Sequence, residues 1–356
     1  MIDCDIHPQI GDPEELLSYV EPAQREWFRR QPYFGIPGYP WAHPTSWYRE
    51  DVEGNGGPPG ADVSAVRRDV LDAHGTDVGI LNGDDMLLVS VMPSPYRAAA
   101  LARAHNEWIR ERWLDAEPRL RGAILCQAQD PQAAAAEIRR VAEDGRFVHV
   151  ALAGGSERPY GEPRYLPIFE AAAECGLPVA IHTGGEGVGI AAPPGGAGPV
   201  TFYIEWHTLG SACSVMSHLV SLLVHGTFER LPGLKVLLME GGVAWLPGIL
   251  WRLDTNWRAL RSDTPWLERK PSEVARDHVR FTTQPLEHTD GHDDLLFEML
   301  AAVGAPSLLC FASDFPHWDS DDPAFTLKRL PAEWREQVMH ENAAALYGRR
   351  LGLVAA

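Results

Sequence analysis

Asp3, Asp5 and His7 occupy alternate positions of the opening run Met1-Ile2-Asp3-Cys4-Asp5-Ile6-His7-Pro8. A β-strand sends every second side chain to one face, so two carboxylates and an imidazole share a side. Asp5 and His7 can then approach one ion together, and a divalent cation of the zinc or manganese type accepts both kinds of donor. A plain surface strand turning at His7-Pro8 would carry the same residues, so partners elsewhere in the chain must decide. Two later runs supply them: Val179-Ala180-Ile181-His182-Thr183-Gly184-Gly185, and Phe311-Ala312-Ser313-Asp314-Phe315-Pro316-His317. Taken singly, His182 reads as a buried, hydrogen-bonded histidine and Asp314 as a turn or helix N-cap. Taken with Asp5 and His7, they offer two imidazoles and two carboxylates and leave room for water or substrate, as a catalytic metal requires.

The elements that must bring these residues together are legible as short apolar or β-branched runs bounded by turn residues. They are Ile2 to His7, Val78 to Asn82, Leu120 to Cys126, Phe147 to Ala153, Pro178 to Thr183, Lys235 to Glu240, Val279 to Thr283 and Leu308 to Asp314. Helix-like stretches lie between most of them: Ala61 to His74, Ser94 to Ala116, Pro131 to Glu143, Tyr165 to Cys175, Ser211 to Arg230 and Asp293 to Val303. Alternation of strand and helix eight times over predicts an α/β fold, a (β/α)8 barrel with parallel strands. Several runs end in a polar residue, namely His7, Asn82, His182, Glu240, Thr283 and Asp314, at the edge where this fold carries its active site. A closing helix is expected over Pro331 to Leu351, containing Asn342 and Tyr347.

Residues 1–356 read as one domain with no dividing linker, interrupted by two long insertions near 31–60 and 184–201. Both are rich in Gly, Pro and aromatic residues and follow strand ends that matter, which makes them candidate lids. The balance of 31 basic against 49 acidic residues, formally −18, argues against a nucleic-acid or anionic-membrane partner. No opening signal segment is apparent, and no apolar stretch approaches the roughly 20 residues needed to span a bilayer. The cytoplasm is therefore the expected location. Five single cysteines, Cys4, Cys126, Cys175, Cys213 and Cys310, suggest core thiols and neither a disulfide framework nor a structural zinc cluster. Twelve Trp and 29 Pro suggest ordered loops and an aromatic-lined cavity.

The ordered set of motifs resembles the amidohydrolase-related (amidohydrolase 2) family of the amidohydrolase superfamily, in its aminocarboxymuconate semialdehyde decarboxylase-like branch. The resemblance runs over nearly the whole chain. It rests on Asp3-Cys4-Asp5-Ile6-His7, Ile181-His182-Thr183, Gly226-Thr227-Phe228-Glu229-Arg230-Leu231-Pro232-Gly233-Leu234-Lys235-Val236 leading into Glu240-Gly241-Gly242, Ser313-Asp314-Phe315-Pro316-His317, and Glu341-Asn342-Ala343. It implies a distorted (β/α)8 barrel holding one divalent metal ion, zinc or manganese, through Asp5, His7, His182 and Asp314. It also implies a homo-oligomer, a dimer or tetramer. Two departures stand out. The first-strand pair is Asp5-x-His7 where many relatives have His-x-His, and a harder oxygen donor shifts the preference toward manganese. Glu240 stands where the characterised decarboxylases have a catalytic histidine.

A metal in such a site could lower the pKa of bound water and polarise a carbonyl. Asp314 is then the candidate general base, and Glu240 a second candidate catalytic residue that orients water or steadies the metal-site histidines. His207, His218 and His317 are candidate substrate-binding residues, while His288 is assigned nothing. The first expectation is a metal-dependent hydrolase acting on a small cyclic or aromatic substrate through metal-activated water. The alternative is a non-oxidative metal-dependent decarboxylase of an aromatic or enoic acid, with Asp314 delivering a proton to the ring carbon. A binding barrel without chemistry would have no use for four convergent donors.

Overall fold

The eight expected runs form eight parallel strands, paired in the order β1 to β8. They are β1 Ile2–Ile6, β2 Val78–Leu81, β3 Leu120–Leu125, β4 Phe147–Ala153, β5 Val179–His182, β6 Val236–Met239, β7 Val279–Thr282 and β8 Leu309–Cys310. The computed structural model describes residues 1–44, 46–52, 57–193 and 198–353. Parts of both expected insertions, at 45, 53–56 and 194–197, lie outside the described residues, as do residues 354–356.

β8 is shorter than the run Leu308 to Asp314 because its backbone turns to β1 after Cys310. The Cys4 N–H donates to the Phe311 carbonyl at 3.0 Å, the Asp314 N–H to the Asp5 carbonyl at 3.0 Å, and the His7 N–H to the Phe315 carbonyl at 2.7 Å. Ile6 and Phe315 form a parallel bridge. These bonds close the sheet into a barrel, and they carry the metal-ligand candidates of the first and last strands side by side.

Alternate residues of the strands fill the interior: Ile2, Cys4, Val78, Ile80, Val148, Ala180, Leu237, Met239 and Cys310 form one buried cluster, with Tyr347 and Leu351 packed against it. The opposite faces contribute to a second, larger cluster shared with the surrounding helices. Burial on both faces explains why the runs read as continuously apolar rather than alternating. Cys4, Cys126 and Cys310 are buried thiols, and Cys175 and Cys213 are partly buried.

The helices Pro95–Trp108, Pro131–Val141, Leu166–Glu174 and Asp293–Ala301 fall inside the expected stretches. The Asp130 carboxylate caps the second by accepting from the Ala133 N–H at 3.1 Å. The stretch Ser211 to Arg230 is two helices, Ser211–Val224 and Thr227–Arg230, separated by Gly226 at φ 69°. Glycine takes this left-handed conformation without a Cβ penalty and so ends the first helix. Two helices, Leu246–Ala259 and Pro271–His278, lie between β6 and β7, where the sequence reading placed none. Leu246-Pro247-Gly248 looks like a turn, yet proline at the first positions also starts a helix. The closing segment is broken into Ala332–Trp334, Gln337–Glu341 and Asn342–Tyr347. Asn342 donates to the Pro306 and Leu309 carbonyls, each at 2.7 Å, and so ties it to β8.

One helix, Tyr203–Val224, is long and apolar enough to cross a membrane by length and composition. This differs from the expectation that no apolar stretch reaches membrane-spanning length. Its Val215, Leu219, Leu222 and Leu223 are buried.

The two insertions meet above the C-terminal ends of the strands. The Gly185 N–H donates to the Tyr39 hydroxyl at 2.6 Å, Tyr39 stacks on Trp41 at 4.3 Å, and Trp41 lies 5.2 Å from Trp206. Gly155, after β4, makes this meeting possible: a Cβ there would come within 2.2 Å of the Gly185 carbonyl carbon.

Candidate active site

Asp5, His7, His182 and Asp314 converge at the barrel mouth, with one ligand-type atom from each within 4.8 Å of all the others. All four are buried. His7 Nε2 lies 3.3 Å from Asp5 Oδ1 and 2.9 Å from Asp314 Oδ1, and His182 Nε2 lies 3.1 Å from Asp5 Oδ2. The close approach of His7 to the two carboxylates does not make hydrogen bonds of acceptable geometry. Among the described residues, neither of its ring nitrogens nor Asp314 Oδ2 has a hydrogen-bond partner, although all three atoms are buried. Native interiors rarely leave buried polar atoms unmatched, and two buried carboxylates side by side need positive charge. A shared divalent cation satisfies both requirements, so these residues fit one metal ion.

Neighbouring groups fix the orientation of the donors. His182 Nδ1 meets the Thr183 carbonyl at 2.7 Å. A carbonyl only accepts, so the proton sits on Nδ1 and Nε2 is left to face the cluster. Asp5 Oδ1 accepts from Asn82 Nδ2 at 2.9 Å; Asn82 Oδ1 meets His149 Nε2 at 2.7 Å, and His149 Nδ1 meets the Tyr347 hydroxyl at 3.2 Å. This chain threads the barrel interior from the closing helix to the first ligand. Asp3 does not join the cluster; its carboxylate accepts the Ser313 and Asp5 N–H groups at 2.9 and 3.2 Å and braces β1 against the segment after β8.

Glu240, Asp314 and His317 form a second acidic and imidazole group beside the first. Glu240 Oε2 accepts from the Thr183 hydroxyl at 3.0 Å and lies 3.2 Å from His182 Nε2. His317 Nδ1 lies 2.6 Å from Asp314 Oδ1, and its Nε2 lies 3.2 Å from Asp84 Oδ1. Glu240 and Asp314 both have left-handed backbones, at φ 56° and 60°. Strained non-glycine conformations of this kind gather at functional sites.

The charges are strongly coupled. Burial, then the adjacent Asp314 carboxylate, pushes the Glu240 carboxyl up to about 7. Burial would also raise Asp314, but His317 and His7 hold it below the usual carboxylate range. Burial opposes protonation of His317 and His182, and carboxylates override it. Asp314 and Asp84 lift His317 well above its ordinary value, and Asp5 and Glu240 lift His182 to about 10.

Two expected substrate contacts are corrected. His218 lies inside the helix Ser211–Val224, buried, and stacked on Tyr160 at 4.5 Å. Its Nδ1 accepts from the Tyr160 N–H at 3.1 Å and its Nε2 meets the Gly154 carbonyl at 2.7 Å, so both nitrogens serve the backbone and none faces a ligand. His207 does not line the main cavity. It pairs with Asp319 at 3.1 Å behind Trp318 and faces a neighbouring groove. His317 does line the cavity.

That cavity has a volume of about 650 Å³ and opens directly above the cluster. His182, Thr183, Glu240 and His317 form its floor, and Tyr39, Trp41, Trp47, Tyr203, Trp206 and Trp318 its wall. Asn82 stands among the polar run ends expected at the active-site edge, whereas His149, Asp84 and Asp85 have no expected place there. A polar His149 inside the apolar run Phe147 to Ala153, and the polar run Asn82-Gly83-Asp84-Asp85 directly after β2, were the available signals.

A family model described as amidohydrolase matches residues 2–349. The chain belongs to the amidohydrolase family. Among its curated relatives, the γ-resorcylate decarboxylase of Rhodococcus jostii is 26% identical over 308 residues, covering 80% of this chain and 88% of the relative. The γ-resorcylate decarboxylase of a Rhizobium species is 24% identical over 303 residues, covering 80% and 87%. Among solved structures, 5-carboxyvanillate decarboxylase from Sphingomonas paucimobilis superposes with a TM-score of 0.68 at 22% identity, over 98% of each chain. Dihydroxybenzoic acid decarboxylase from Polaromonas, solved with manganese and the inhibitor 2-nitroresorcinol, gives 0.68 at 20% identity, over 98% and 96%. This amidohydrolase therefore shares its fold with enzymes named as decarboxylases. Of the two activities weighed from the sequence, these relatives carry the name of the second.

Proposed function

We propose that this amidohydrolase is a metal-dependent, non-oxidative decarboxylase of an aromatic acid. The observation that carries the reading is the four-donor cluster at the floor of an aromatic-walled cavity with Glu240 beside it. The names of relatives matched over 80% of the chain favour decarboxylation over hydrolysis. Asp5, His7, His182 and Asp314 would hold the ion. The two carboxylate ligands, and the manganese in the Polaromonas enzyme, favour manganese over zinc. A divalent cation bound there supplies an anchor and a polarising charge for the substrate carboxylate and an adjacent oxygen.

The protein's own residues then have distinct tasks. The aromatic wall holds the ring flat over the floor and excludes water. Asp314 Oδ1 is engaged by His7 and His317, which suits a fixed ligand more than a proton carrier. Glu240 faces the cavity and is steadied by the Thr183 hydroxyl. Its protonated carboxyl delivers a proton to the ring carbon that bears the carboxylate. The carbon–carbon bond then breaks, its electron pair restores the aromatic ring, and carbon dioxide leaves. Glu240 regains a proton from solvent, so one proton is consumed per turnover. In this account Glu240 takes over the proton delivery that the sequence reading gave to Asp314.

The test is carbon dioxide release from a panel of hydroxybenzoates, lactones and amides. Manganese-loaded protein should release carbon dioxide from at least one aromatic acid and lose that activity with a chelator. Cleavage of a lactone or amide with no carbon dioxide from any acid would restore the hydrolase reading.

A further inference from the structure

The cavity has room and charge that a simple hydroxybenzoate does not use. About 150 Å³ suffices to enclose benzene, whereas this cavity measures about 650 Å³. No lysine or arginine is among the described residues lining it, although four carboxylates are: Asp84, Asp85, Glu240 and Asp319. Three of these have nitrogen partners. Asp84 accepts from Gln9 Nε2 at 2.7 Å and faces His317, Asp319 faces His207 and Gln284, and Glu240 lies beside His182. Asp85 differs: among the described residues its hydrogen-bond partner is the Tyr33 hydroxyl. Tyr33 and Phe34 hold left-handed backbones at φ 50° and 57° beside this contact.

Two indoles of the aromatic wall already have hydrogen-bond acceptors. Trp206 Nε1 donates to Glu186 at 2.9 Å and Trp318 Nε1 to the Tyr203 hydroxyl at 2.9 Å. Trp47 and Trp318, each more than a third exposed, offer ring surface for stacking on a flat ligand or a cation.

Resting on the decarboxylase reading, we propose that the substrate is an aromatic monocarboxylate larger than one ring that carries an amine or hydroxyl donor at its far end. Its carboxylate lies at the cavity floor beside His182 and His317, its rings lie against Trp47 and Trp318, and its donor replaces the Tyr33 hydroxyl at Asp85. A second carboxylate at that end meets Asp85, whose hydrogen-bond partner is a phenol, with no lysine or arginine among the described lining residues, and is rejected, since burying an unpaired charge is costly.

Equilibrium binding to manganese-loaded protein, followed by tryptophan fluorescence, tests this with three probes. They are 2,6-dihydroxybenzoate, 6-amino-1-hydroxy-2-naphthoate and its 6-carboxy counterpart. The amino compound should bind at least about tenfold more tightly than either of the others, the effect of one desolvated polar contact together with added stacking. Asp85→Asn should erase the preference for amino over carboxy, and Asp85→Arg should reverse it. Equal or tighter binding of the 6-carboxy compound, an unchanged preference in Asp85→Asn, or no binding by any probe would overturn the proposal. The binding order is read without turnover, so absence of carbon dioxide from every acid would count against the decarboxylase reading alone.

Discussion

Asn82 is the residue through which the barrel interior sets the position of the metal cluster. Its amide donates to Asp5 and the Cys4 carbonyl while its oxygen meets His149. Partners behind a metal ligand typically account for about 10–100-fold in metal affinity. Asn82→Ala should therefore weaken manganese binding by about that factor, and should cost about 1–3 kcal/mol of stability through the stranded buried groups. Titration of metal-depleted protein with manganese checks the first, and a thermal melt the second. Glu240→Gln keeps the shape of the side chain and removes its proton. Turnover should fall about 100- to 10,000-fold, the range for a positioned acid, with metal content unchanged. Metal entry is itself proton-linked: without an ion, Asp5 and Glu240 hold the His182 imidazole protonated, with its pKa raised to about 10. That proton must leave before Nε2 can bind metal, so affinity should rise with pH between 6 and 8 and protons should be released on binding.

At the scale of elements, the barrel and its lid separate stability from substrate binding. Trp41, Tyr203 and Trp206 form a small cluster apart from the barrel core. Trp41→Ala should raise KM more than it lowers kcat, with a small change in melting temperature. Leu237→Ala, inside the barrel, should cost about 2–5 kcal/mol. Steady-state kinetics and melts on the two variants distinguish these outcomes. The strands were legible because nearly all of their residues are buried on both faces, so that most read as short apolar runs, six of the eight ending in a polar residue. His7, His182 and Asp314 could be placed at one rim for the same reason. What the sequence hid was set by distant contacts. Glu240 and Asp85 acquire their surroundings from other loops, and the lid forms only where residues near Tyr39 and Trp206 meet. His218, expected to face substrate, lies on an apolar helix, and two backbone groups of another segment account for its ring nitrogens. The helices between β6 and β7 were masked by Pro247 and Gly248, whose local preference for a turn is overridden by packing.

Across the whole molecule, buried neutral histidines tie stability to pH. Burial pushes His105 down to about 3, and holds His149 and His218 down to about 4. Among the described residues neither ring nitrogen of His105 has a hydrogen-bond partner. In the unfolded chain these imidazoles titrate near pH 6.5. Below that value the unfolded state binds protons that the folded state refuses, so stability falls as pH drops from about 6.5 toward 4. Melting temperature should decline across that window, and His105→Leu should raise it more at pH 5 than at pH 7.5. A decline of the same size in His105→Leu would assign the acid sensitivity elsewhere. On the proposed decarboxylation, a proton passes to carbon in the cavity between the barrel and the aromatic wall. Turnover of an aromatic acid by the manganese-loaded enzyme in deuterium oxide follows that transfer atom by atom. One deuterium should appear on the ring carbon that lost its carboxylate, with no solvent oxygen entering the product; solvent oxygen in a product that keeps its carboxylate would contradict the account.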